Sequence, residues 1–179
     1  LDVCGTTPLT VSQDETWDFE MRLYQDVVVE QGATLTLKCI LEMPHAGKII
    51  VKPGARLIVD GGRVTTARYS DTFWSGIEIW GDNAHNQFPS THPTYQGMVV
   101  LKNGATIEHA REAFILMQGG VWNTFGGVLQ ATDANFINCR RSAAFAEYQN
   151  TTPGGTPIGN RSFFRRCHFY VDDDYRGVD

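Results

Sequence analysis

Between Gly104 and Glu112 the chain reads GATIEHARE. Glu108, His109, Arg111 and Glu112 put two carboxylates, an imidazole and a guanidinium within five residues. Gathered in a cleft, such groups could move protons or hold an anion. Two other stretches echo the segment, GRVTTARYS at 62–70 and ANFINCRRS at 134–142. In those echoes Thr66 and Asn138 stand where His109 stands, so the position asks for polarity rather than for a base, and His109 is expected to face solvent. The same alignment puts Arg68, Arg111 and Arg140 in register, a basic ladder that would suit an acidic glycan. Stacked arginines repel unless paired, so structural or solvating roles are expected of them.

The remaining reactive residues form no familiar set. The five histidines show no metal-ligand spacing, and no G-x-S-x-G, phosphate-loop or dinucleotide fingerprint occurs. Asp172, Asp173 and Asp174 make the one dense acidic run; calcium is the only metal or cofactor it suggests, and a solvated end is the expected reading. Cys4, Cys39, Cys139 and Cys167 have no C-x-x-C spacing. Two disulfides, Cys4–Cys39 and Cys139–Cys167, would fit an oxidising compartment; buried free thiols are the equal alternative. A formal charge of −5 without a basic face argues against nucleic acid, and no run of 18 apolar residues offers a membrane span.

What must position these side chains is a repeat. VVVEQGATLTL, starting at Val27, returns 22 residues later as IIVKPGARLIV, starting at Ile49. QGATL, PGARL and NGATI are three copies of one turn. Val59-to-Arg68 aligns with Ala131-to-Arg140, and Leu101-to-Arg111 follows with one extra turn residue. Short alternating apolar runs between tight Gly turns are strands. A unit of this size is too short for a strand–helix–strand crossover, which needs about 30 residues. It suits one coil of a parallel β-helix, an all-β solenoid whose coils stack at about 4.8 Å. An antiparallel sandwich is the competitor, but it would not demand the same turn at matching points. Val64, Ile107, Phe136 and Phe169 are then expected to form one inward ladder. Ala67, Ala110 and Cys139 are expected to form another at a tight corner, and Ile77/Ile79, Phe114/Leu116 and Ala143/Phe145 to line a further face.

Residues 1–26 fit the repeat poorly and are expected to cap the coils of 27–179. Insertions at 81–97, 118–127 and 147–162 all leave from one point of the repeat, so they should emerge along one edge. They carry Trp80, Phe88, His92, Tyr95, Trp122, Phe125 and Tyr148, whose ring faces beside Asn and Gln amides suit a sugar or a protein surface.

The stretch from VVVEQGATLTLKCILEMPHAGKIIVKPGARLIVDGGRVT through FWSGIEIWGD to GMVVLKNGATIEHAREAF, about residues 24–145, resembles the right-handed parallel β-helix domains of the pectate-lyase-like superfamily. More narrowly it resembles β-helix modules of large secreted proteins of Bacteroidota. That resemblance implies an extracellular or cell-surface module, often exported by the type IX route and often part of a longer chain. A polysaccharide lyase or hydrolase needs carboxylates clustered at a cleft, and Glu78 has Ile115 and Ala144 as its counterparts in later coils. The expected function is therefore non-catalytic: adhesion, surface display or glycan binding, with a glycan or cell-surface protein as partner. A polysaccharide lyase or glycoside hydrolase on the same fold is the alternative.

Overall fold

A computed structural model describes residues 7–68 and 70–176. Its regular elements are all strands, and they follow one another in threes. The first coil holds β1 (Leu9–Val11), β2 (Glu15–Trp17) and β3 (Met21–Arg22). The second holds β4 (Val27–Val29), β5 (Thr34–Leu37) and β6 (Ile40–Met43), and the third β7 (Lys48–Val51), β8 (Arg56–Asp60) and β9 (Arg63–Thr66). The fourth holds β10 (Trp74–Ile79), β11 (Met98–Lys102) and β12 (Thr106–Glu108); the fifth holds β13 (Ala110–Ile115), β14 (Val128–Thr132) and β15 (Asn135–Ile137). The sixth has isolated parallel bridges at Arg141 and Ala144, then β16 (Phe163–Arg165) and β17 (His168–Tyr170). Each of the first five coils gives one strand to each of three parallel sheets, and the sixth gives strands to the second and third; the orders are β1-β4-β7-β10-β13, β2-β5-β8-β11-β14-β16 and β3-β6-β9-β12-β15-β17. The chain is a parallel β-helix.

Register follows the apolar pattern, because a one-residue slip would turn every inward side chain outward. Leu35 pairs with Leu57, Leu57 with Val99, and Val99 with Leu129. In the third sheet Met21, Leu41, Val64, Ile107, Phe136 and Phe169 stack in one column. That is the expected ladder, extended by two coils; it is fully buried from Leu41 to Phe136 and half exposed at Phe169 in the last coil. Phe136 and Phe169 lie face to face with ring centroids 4.5 Å apart. Burying each such leucine, isoleucine or phenylalanine stabilises the fold by about 1.5–3 kcal/mol.

Three expectations change. The segment expected to cap the solenoid forms its first full coil: β1, β2 and β3 pair in parallel with β4, β5 and β6. Its strands of two or three residues carry few apolar side chains, which hides the repeat in the sequence. At the corner expected to take only small residues, Trp74 rather than Ala67 is the register partner of Ala110. The chain between them departs from the coil, and the fully buried indole donates to the Glu108 carbonyl at 2.8 Å.

The Cys139–Cys167 pairing is overturned as well. Register aligns Cys139 with Ala110, just after the third sheet, but aligns Cys167 with Ala134, at the corner before it. Each thiol points at backbone carbonyls: Cys139 Sγ is 3.4 Å from Ile137 O, and Cys167 Sγ is 3.4 Å from Arg165 O. Cys39, Cys139 and Cys167 are free, and burial pushes the Cys139 thiol up to about 12. Cys4 lies outside the described residues.

Gly76 marks where two coils come closest. Its φ is +114°, the register of β10 against β13 shifts just after it, and a Cβ there would lie 1.6 Å from the Glu112 carbonyl oxygen. Gly104 also has a positive φ, +80°, but faces open space. Gly104→Ala should cost about 1 kcal/mol through backbone strain alone. Gly76→Ala must also push two strands apart and should cost more than about 3 kcal/mol. Thermal unfolding of the two variants tests this, with an expected drop of about 2–4 °C per kcal/mol.

Candidate functional site

The first and second sheets meet at a corner that the second and third coils close with short turns, where Ala33 N donates to Glu30 O and Ala55 N to Lys52 O. In later coils the chain leaves this same corner through 80–97, between β10 and β11, and 116–127, between β13 and β14; another loop precedes β16. The three insertions therefore do stack along one edge, as their places in the repeat require.

Three buried amides lock them together. Gln96 Nε2 donates to the carbonyls of Asp82 and His85, both at 2.8 Å, and its Oε1 accepts from Asp82 N at 2.9 Å. Gln87 Nε2 donates to Gly126 O at 3.0 Å, and its Oε1 accepts from Arg161 N at 2.9 Å. Asn150 accepts from Gln87 N at 3.1 Å and donates to Gly159 O at 3.2 Å. Tyr148 adds a hydroxyl donated to the His85 carbonyl. Gly81 and Gly126 make the close approaches: a Cβ would lie 2.2 Å and 2.5 Å, respectively, from Gln96 Oε1. Each amide satisfies backbone groups that a buried loop would otherwise strand. Asn150 begins an N-x-T triplet, but its amide is consumed inside this lock.

On that rigid edge the ring residues fall into two clefts. Trp122, Phe125 and Tyr148 line one of about 450 Å³ with Asn83, Glu147 and Gln149. Trp122 is 74% exposed, and its ring meets Phe125 edge-on at 5.7 Å. Phe88 and Tyr95 line the other, about 550 Å³, with His85, Asn86, Thr151 and Thr152. Tyr95 stacks on His85 at 3.8 Å, and His85 Nδ1 is held by Asp82 at 2.8 Å. Arg161 sits over the Phe88 ring at 4.5 Å. Trp80 and His92 line neither cleft: the Trp80 indole donates to Glu78 at 2.8 Å, and His92 is a solvent-exposed turn residue. In the sequence Asn150 stands out only as the start of an N-x-T triplet, and Gln87, Gln96 and Arg161 do not stand out. Their one signal was amides among glycines, which reads equally well as plain loop.

The other candidates do not converge. Asp172 turns back to accept from Asn138 Nδ2 at 2.7 Å and Asp174 N at 3.0 Å, and the Asn138 bond holds its carboxyl below the usual range. Among the described residues no group of three His, Cys, Asp or Glu is arranged to hold a metal. Glu78 is tied to Lys48 at 2.9 Å, and Glu108 to Arg63 and to Thr65 Oγ1 at 2.9 Å. Each of these buried carboxylates is paired with a cation, Glu108 at the wall of a cleft of about 290 Å³ that Glu42, His109 and Asp174 also line. His109 is 4% exposed, not solvent-facing. It takes a left-handed φ of +52°, which Asn138 adopts at the same place one coil later.

No protein-family model, curated protein or solved structure matches the chain. No helix of the described residues is long and apolar enough to cross a membrane.

Two outcomes follow. Asn150→Ala should strand Gln87 N and Gly159 O, cost about 1–3 kcal/mol, and speed proteolytic cutting within 147–162; limited digestion with mass mapping reads both effects. Burial, outweighing Glu108 and Asp174 and helped by Arg176 and Arg63, holds the His109 pKa below its ordinary value. The unfolded chain then takes up a proton that the folded chain refuses, so stability falls as pH drops below about 6.5. His109→Asn should remove that part of the slope between pH 7.5 and 5.5 in thermal unfolding.

Proposed function

We propose that this β-helix is a non-catalytic carbohydrate-binding module of a secreted or cell-surface protein, and that the loop edge is its binding face. The carrying observation is the pair of preformed clefts on one locked edge, each walled by aromatic rings beside amides and hydroxyls. Rings stack on the apolar faces of sugars, and amides meet their hydroxyls. The rings are held before any ligand arrives: Tyr95 by His85, Phe88 by Arg161, Phe125 by Trp122. Preorganisation lowers the ordering cost of binding.

The secreted, surface-display part of the reading rests on the sequence pattern, which resembles β-helix modules of Bacteroidota surface proteins. A polysaccharide lyase or hydrolase would need an acid and a base free to act, whereas Glu78 and Glu108 are each committed to a cation.

A panel of neutral and acidic polysaccharides, scored for binding and for release of product ends, tests the proposal. Binding without turnover is expected. Trp122→Ala and Tyr95→Ala should each weaken it about tenfold or more while leaving the thermal midpoint nearly unchanged, since both rings are exposed. Turnover of any polysaccharide sinks the non-catalytic reading; binding that survives both substitutions sinks the loop edge.

A further inference from the structure

Over most of this surface a cation is answered by an acid one coil away. Arg22 meets Glu42 at 2.6 Å, Lys48 meets Glu78 at 2.9 Å, Lys52 meets Glu30 at 2.7 Å and Lys102 meets Asp60 at 3.3 Å. Arg141 meets Glu112 at 3.3 Å, and Arg166 takes Asp133 with two bonds, 2.5 and 2.7 Å. At one place the habit is reversed. Arg140 N donates to Ala110 O at 3.0 Å and Arg141 N to Arg111 O at 3.1 Å, which sets Arg140 directly over Arg111. Two exposed arginines thus hold matching positions on neighbouring coils, whose backbones lie about 4.8 Å apart, and both line one cleft. Among the described residues neither has a side-chain hydrogen bond or ion pair. Glu112, the nearest acid in sequence, is taken by Arg141.

The pair opens onto a cleft of about 420 Å³ where the third sheet passes to the first. A third guanidinium, Arg176, is brought to its rim by a bond to the Ser70 carbonyl. His45 and Thr72 lie opposite, with Nδ1 and Oγ1 2.6 Å apart, and Phe73 and Tyr175 supply ring walls at 5.4 Å from each other. Among the described residues no carboxylate lines this cleft, in a chain whose net charge is −5.

We infer that this cleft binds an oxyanion, a carboxylate or sulfate group, carried on a small organic body. Two guanidinium forks in register can grip one such group from both sides, and a bound anion converts their repulsion into attraction. The ring walls meet the carbon body. The site shares no residue with the loop-edge clefts, so it does not depend on their binding anything.

Calorimetric titration at constant ionic strength tests the inference with three probes: sodium sulfate, sodium glucuronate and glucose. Saturable uptake of one glucuronate per chain, displaced by sulfate, is expected, with none for glucose. Glucuronate binding tighter than sulfate supports an organic ligand; sulfate binding as tightly supports the anion grip and overturns the organic body. Arg111→Gln/Arg140→Gln should lose at least tenfold in affinity with the thermal midpoint unchanged or raised, because a repulsion has been removed. Arg111→Lys/Arg140→Lys keeps the charge without the fork and should lose severalfold. Lys38→Gln, an exposed cation elsewhere, should lose nothing. Absence of saturable anion binding, unaltered binding in the double Gln variant, or an equal loss in Lys38→Gln overturns the inference. If the double variant fails to fold, Arg140→Gln alone carries the same comparison.

Discussion

The backbone ladder between coils is the constraint on which everything else in this molecule depends. Each strand finds its hydrogen-bond partners in the coil before and the coil after, in parallel and nearly without slip. A residue is therefore held about 4.8 Å from its counterpart one turn away. Whatever the coil puts at a position must tolerate its own likeness as neighbour. Apolar side chains do so readily, which is why Met21, Leu41, Val64, Ile107, Phe136 and Phe169 can share one column despite their different shapes.

Charges do not tolerate it, and the outer faces show the consequence. Lysines and arginines face acids across the coil boundary at most places where two charges meet. Partly buried pairs of this kind, such as Lys48–Glu78 and Arg63–Glu108, leave their carboxylates little freedom to act as acids or bases. The stacked Arg111 and Arg140 depart from that rule, and a departure from a rule imposed by geometry carries more information than a basic residue in isolation. The loops obey a related logic. They leave from equivalent points, so they pile onto one another, and Gln87, Gln96 and Asn150 bond the carbonyls and amides that the pile would otherwise bury unpaired.

Much of this was legible in the chain. A repeat that returns after 22 residues with the same Gly turn has few solutions, and a period-two apolar pattern inside it dictates which side chains face inward. The alignment of GRVTTARYS with ANFINCRRS anticipated Val64 over Ile107 over Phe136. The same alignment misled over Ala67, because chain inserted after it let Trp74 take the corner, and pattern matching cannot see an indole folding back over an alanine's place. The spacing from Cys139 to Cys167 suggested adjacent positions, but the loop preceding β16 moves Cys167 to another corner. His109 looked solvent-facing because its counterparts are polar; in fact residues far away in sequence close over it.

The sequence by itself determined the solenoid, its inward ladders and the edge from which the loops depart, because each of these depends on local periodicity. Only the tertiary structure decided which loop rings share a cleft, which amides lock them, and that Arg111 and Arg140, placed in register by the repeat, have no side-chain ion pair among the described residues. Those facts join residues tens of positions apart through the path of the insertions, and no period in the chain encodes that path.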